Sequence, residues 1–179
     1  DVIIAENLST WEVTEPQIQI LNHLNAHVLK KDGVRLPSIL HNYLELTQTR
    51  YRFENVIDLR THYFEFTGIR KARSLSKKIL FEKIDLSQYN SPDVNRKIRV
   101  KVSADGIINS VRLTSPLQVY KNITFDTSDS LMPPVVFPLK QDIEVSKNDT
   151  IELYIKYAHN TSWEAFDCVA KRVSKKRPF

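Results

Sequence analysis

Hydrophobic and polar positions along the chain follow two different periods, and the change between them divides the sequence. Asp1-Val2-Ile3-Ile4-Ala5 is a short, mostly apolar run that breaks off at the polar stretch Glu6 to Thr10. A run of this kind suits a strand covered on both faces. Ile18, Leu21, Leu24 and Val28 then recur at helical spacing, with Ile20 and Leu29 beside them. Thr14 ahead of Glu15-Pro16-Gln17 predicts an N-cap, a proline in the first turn and a capping-box glutamine. Lys30-Lys31-Asp32-Gly33 predicts the carboxyl end, with glycine in a left-handed cap. The opening is thus strand, loop and helix.

Past Pro37 the period changes to two and stays there. Strands are predicted at 39–47, 59–66 and 79–86, with Gly68 ending the second. Arg99 to Ala104 and Ile107 to Leu113 flank Asp105-Gly106, which predicts a two-residue hairpin turn. A strand is expected over 117–125. Pro133 and Pro134 argue against a central strand around 131–137. A last hairpin is predicted from Thr150–Tyr157 through His159-Asn160-Thr161-Ser162 to Trp163–Val169. The pattern therefore predicts a mainly β protein: residues 38–179 form an antiparallel β-barrel or sandwich, and residues 1–37 are a strand–loop–helix piece of a different, α/β character.

Composition changes this picture little. With 41% hydrophobic and 26% charged residues among 179, the chain is an ordinary globular sequence, and no apolar run approaches the length of a membrane span. A single cysteine, Cys168, cannot form an internal disulfide, which suits a cytoplasmic location. The net charge of +5 is uneven: Arg70-Lys71-Ala72-Arg73 with Lys77-Lys78 forms one cluster, and Lys171-Arg172 with Lys175-Lys176-Arg177 another. Either could face nucleic acid or an acidic partner, but a solvated loop and a chain end are the preferred reading because no nucleic-acid motif accompanies them.

Candidate chemistry centres on Glu6, at the carboxyl end of the first strand, and Glu15, nine positions later at the mouth of the helix. Ligands bind at that end of the strands in open α/β sheets. Two converging carboxylates would suit a planar, multi-donor cation such as a guanidinium, while the alternative is a loop carboxylate and a complement to the helix terminus. His23 and His27 stand four apart without a third ligand, so no metal site is expected, and Cys168 is expected to be inert. With only three glycines and no glycine-rich phosphate loop, no cofactor-binding motif is present.

These pieces together resemble the protein arginine methyltransferases along most of the chain. In that family a strand ends in a loop bearing two glutamates, a helix follows, a Gly-x-x-x-Pro segment leaves the cofactor domain and a β-barrel completes the protein. Ile3-Ile4-Ala5-Glu6, Glu15 heading the helix, Gly33-Val34-Arg35-Leu36-Pro37 and the β remainder occupy those places. The resemblance implies that residues 1–37 are the end of a Rossmann-like methyltransferase domain whose S-adenosylmethionine site lies upstream, outside this chain. It implies catalytic roles for Glu6 and Glu15, substrate contacts from Asn7, Trp11 and Met132, and a protein or small-molecule guanidinium substrate. A homo-oligomer would fit the family; nucleic acid and membrane are not expected as partners. Three positions depart from the family pattern. Ser130-Leu131-Met132 stands where a Thr-His-Trp motif is expected, Asn7 to Trp11 replaces the usual Trp-Met-Gly loop, and only the basic run after Gly68 occupies the place of the dimerisation arm. A non-catalytic barrel that binds a protein, with vestigial glutamates, is the alternative.

Overall fold

The computed structural model describes residues 1–128 and 131–173. Strand β1 (Val2–Ile4) leads through a single 3-10 turn (Thr10–Glu12) to helix α1 (Gln17–His27) and then to β2 (Val34–Leu36). The two strands pair in parallel, Val2 with Val34 and Ile4 with Leu36, so the opening is a complete β-α-β unit. The predicted caps do not form. Pro16 occupies the N-cap with no side-chain hydrogen bond, the helix ends at His27, and Gly33 lies outside the left-handed region. Ile18 and Leu21 are buried, whereas Val28, expected on the same face, is exposed.

The rest is β. Strand β3 (Ile39–Gln48) is followed by the short pieces β4 (Arg52–Phe53), β5 (Ile57–Asp58), β6 (Tyr63–Phe64) and β7 (Arg73–Ser74). Then come β8 (Ile79–Asp85), β9 (Asp93–Lys101), β10 (Gly106–Thr114), β11 (Leu117–Tyr120), β12 (Ile123–Phe125), β13 (Val135–Val145), β14 (Thr150–Ala158) and β15 (Asp167–Arg172). An eight-stranded curled antiparallel sheet runs β12-β11-β3-β10-β13-β6, with β7 and β8 also paired to β3, and a three-stranded sheet β15-β14-β9 accompanies it.

Several local expectations are corrected. Asp105-Gly106 is not a hairpin turn, because β9 pairs with β14 and β10 with β3 and β13, so the dipeptide carries the chain from one sheet to the other. Gly106 has no positive φ; a Cβ there would lie 2.9 Å from the Gln48 Oε1 and 3.0 Å from Leu75, so a larger residue would have to displace the ends of those side chains. The expected strand over 59–66 contracts to Tyr63–Phe64. The expected strand over 117–125 is a hairpin, turned at Lys121 with φ 48°. The prolines at 133 and 134 precede β13 and do not prevent a central strand, since Val135 and Val136 pair with β10 on one side and β6 on the other. Pro138, within β13, sits where the β10 register shifts between Ile108 and Ser110, a place a missing N–H tolerates.

Two cores result. The larger joins Leu44, Leu46, Ile108, Val111, Leu139, Ile151 and Leu153 from both sheets, with Trp11 from the opening loop inserted among them. The smaller seats α1 on the barrel through Ile18 and Leu21 against Leu40, Ile84, Leu117 and Met132.

Candidate functional site

The loop between β1 and α1 is held to the barrel by its middle. Trp11 and Glu12 both adopt left-handed backbone angles, φ 59° and 52°, a costly conformation for residues with a Cβ that persists only where surroundings enforce it. The enforcing contacts are explicit. The Trp11 indole stacks on Phe81 at 4.5 Å, with Tyr157 and Phe166 near 6 Å. Its backbone N–H donates to Ser115 Oγ at 2.7 Å and its Nε1–H to the Tyr43 carbonyl at 3.1 Å. Glu12 is wholly buried; its Oε2 accepts from the Asn42 amide at 3.1 Å, and Asn42 Oδ1 in turn accepts from Ser115. The Asn160 N–H reaches the Glu12 carbonyl and the Thr161 N–H the Val13 carbonyl, which ties the loop to the turn after β14.

Burial pushes the Glu12 carboxyl up to about 8, the Asn42 amide pulls it the other way, and the charge of Glu82 adds to the rise. Its Oε1 has no hydrogen-bond partner among the described residues. A carboxyl in this setting is neutral at pH 7. The Tyr157 hydroxyl, also buried and without a hydrogen-bond partner among the described residues, is raised well above its ordinary value by burial and by the charges of Glu12 and Glu82.

The two predicted glutamates stand at the ends of this pinned segment. Glu6 follows β1 and is exposed, as is Asn7. Glu15, just before α1, is half-buried and lines a cleft of about 280 Å³ between loop and barrel, together with Ser9, Thr10, Phe64, Phe66 and Met132. Thr10 Oγ1 closes one side of it by donating to the Pro133 carbonyl at 2.7 Å. Among the predicted site residues, then, Glu15 and Met132 share the cleft. Glu6 and Asn7 lie outside its lining, and Trp11 is buried in the barrel core with no face turned to it. Ser130 and the basic residues 175–177 lie outside the described residues.

Sequence reasoning missed Glu12. It lies between the two glutamates that drew notice, and nothing local marks it, because Asn42, which bonds it, comes from the distant strand β3 and is itself held by Ser115 after β10. The histidines of α1 have ring centroids 4.8 Å apart, and no group of three metal-binding side chains gathers among the described residues. Cys168 is buried, which pushes its thiol up to about 12.

No family model matches the chain. It is 25% identical over 146 residues to an uncharacterized protein of Methanocaldococcus jannaschii, an alignment that takes in 80% of the chain and 52% of that protein. The chain therefore spans about half the length of the curated relative it matches. Among solved structures it is similar to the Trypanosoma brucei PRMT1 enzyme-prozyme heterotetrameric complex with AdoHcy, with a TM-score of 0.66 at 10% identity, over 87% of this chain and 59% of that one. At that identity the likeness is one of fold, and it supports the mainly β architecture with its curled antiparallel half-barrel sheet.

Proposed function

We propose that the chain is the acceptor-binding part of an S-adenosylmethionine-dependent methyltransferase related to the protein arginine methyltransferases. The observation that carries this reading is a β-α-β unit with Glu6 at the carboxyl end of β1 and Glu15 at the mouth of α1, joined to a barrel of the arginine-methyltransferase fold. S-adenosylmethionine does not fit the residues of this chain. The loop after β1 has no glycine to bring its backbone close to a ligand, and the N–H groups of Leu8, Glu12, Val13 and Thr14 are bonded within the loop and that of Trp11 to Ser115. The methyl donor would be held by residues outside it.

What these residues would do is bind and orient. A guanidinium presents its N–H donors in one plane, and two carboxylates can accept them in bidentate fashion, localising positive charge on the far nitrogens and aiming the remaining one. Positioning of this kind supplies much of the rate in a displacement that forms no covalent enzyme intermediate. The pinned middle of the loop supports it, because Trp11 and Glu12 fix the backbone that carries both glutamates. A second reading, a protein-binding barrel without catalysis, is favoured by the exposure of Glu6 and its absence from the cleft that Glu15 lines.

The full-length protein separates the two. Glu6→Gln and Glu15→Gln are each expected to leave S-adenosylmethionine affinity unchanged in calorimetry while lowering methyl transfer to an arginine-containing peptide by about 100-fold. Wild-type turnover in both variants would overturn the clamp.

A further inference from the structure

Away from the glutamate loop, the segment between β3 and β7 folds over the barrel and leaves a cleft of about 600 Å³. Its lining includes four cationic side chains, Arg50, Arg70, Lys71 and Arg73. It also includes Phe53, Leu59 and Ile69, respectively 41%, 59% and 45% exposed, an unusual degree for large apolar side chains grouped together. No aspartate or glutamate lines the cleft among the described residues.

Of the acids nearest in sequence, Glu54 lies outside the lining and two others are already committed. Asp58 pairs with Arg52 and Arg60, and Glu65 is held by Arg112 and by the Ala72 N–H. Arg50 and Arg73 donate only to the backbone carbonyls of Arg52 and Asp105, and none of the four cations forms an ion pair among the described residues. Four like charges gathered over an apolar concavity repel one another, and an anionic occupant relieves that cost.

We propose that this cleft docks an acidic peptide segment carrying aliphatic side chains. The volume exceeds what a single phosphate or carboxylate needs and suits a few side chains of a chain laid across it. The cationic and apolar groups call for an occupant with both characters. A single-stranded nucleic acid fits less well: its bases need free aromatic faces, and the one exposed ring, Phe53, already has the Arg50 guanidinium 5.1 Å from its centre, while Leu59 and Ile69 offer no stacking surface. The surface is independent of the glutamate loop and does not rest on the reading of that loop.

The test is fluorescence anisotropy on the full chain with a labelled twelve-residue peptide of alternating Glu and Leu, beside its Gln/Leu counterpart and an oligouridylate of equal length. The expected result is saturable binding of the Glu/Leu peptide that weakens with salt and is lost with the Gln/Leu peptide. Arg70→Ala combined with Lys71→Ala, both exposed positions, should weaken it about tenfold, and Ile69→Ser about threefold, with melting temperatures unchanged. Equal affinity in the charge variant, equal binding of the neutral peptide, tighter binding of the oligouridylate, or occupation of the cleft by a second copy in sedimentation would each overturn the proposal.

Discussion

Two buried carboxylates on this barrel are treated in opposite ways. Glu65 is almost fully enclosed, and Arg112 meets it with two parallel hydrogen bonds, Nε to Oε2 at 2.8 Å and Nη2 to Oε1 at 3.0 Å. The remaining N–H groups of that guanidinium go to Glu45, Ser74 and the Ala72 carbonyl, so its five donors are all used. Glu12 is equally enclosed and receives one amide from Asn42, no cation, and nothing on its second oxygen among the described residues. Burial is the same in both; the partner decides the charge. One site is a satisfied ionic network, and the other holds its carboxyl as a neutral acid.

The comparison breaks most visibly when the guanidinium is removed. Arg112→Met would leave Glu65 charged, buried and unpaired, with an expected loss of about 3–5 kcal/mol in denaturant unfolding. A loss below about 1 kcal/mol would mean that the Arg112 network contributes little to stability.

Next in size is the pH response of Glu12. Its folded-state pKa of about 8 lies above the ordinary 4.5, so between those values the folded chain holds a proton that the unfolded chain has released. The associated stability is fully present below pH 4.5 and is lost as pH rises through 8. The loss between pH 6 and pH 8 should be about 2 kcal/mol in the wild type. Glu12→Gln keeps the shape and carries no charge, so its unfolding free energy should lack this slope. Parallel pH profiles for the two proteins would show that Glu12 is not the group responsible.

The smallest effect sharpens the contrast from the solvent side. Lys140 Nζ and Asp167 Oδ1 are 3.0 Å apart, but both side chains are largely exposed. Lys140→Ala should change stability by less than about 0.5 kcal/mol, read in the same unfolding experiment.

Much of this architecture could be read from the chain, and the failures have particular causes. The opening strand, the helix and the period-2 remainder were visible because each depends on local spacing. The Asp105-Gly106 turn failed because a local signature was overridden from outside. The Asp105 carboxylate accepts the Lys147 N–H at 2.6 Å, and strands β9 and β10 find other partners. The expected strand at 59–66 failed for a related reason: β13 offers it only two paired positions, and Arg60 turns aside to the Leu139 carbonyl and Asp142. At the candidate site, the nine-residue spacing of Glu6 and Glu15 was legible, while Glu12 was not, since its meaning comes from Asn42, thirty positions away. Trp11 shows the same limit. The family resemblance implied a substrate contact there, and only the tertiary packing reveals a side chain enclosed by Phe81, Tyr157 and Phe166.

The parallel pairing of β1 with β2 has a practical consequence. Among the described residues β1 has no second neighbour, and Val2 and Ile4 beside that open edge are 58% and 78% exposed. An unprotected edge carrying aliphatic side chains is a template for adding a strand from another molecule. Handled as an isolated polypeptide, the chain should grow stickier with concentration, and a lysine at position 4 would be the simplest way to keep it dispersed.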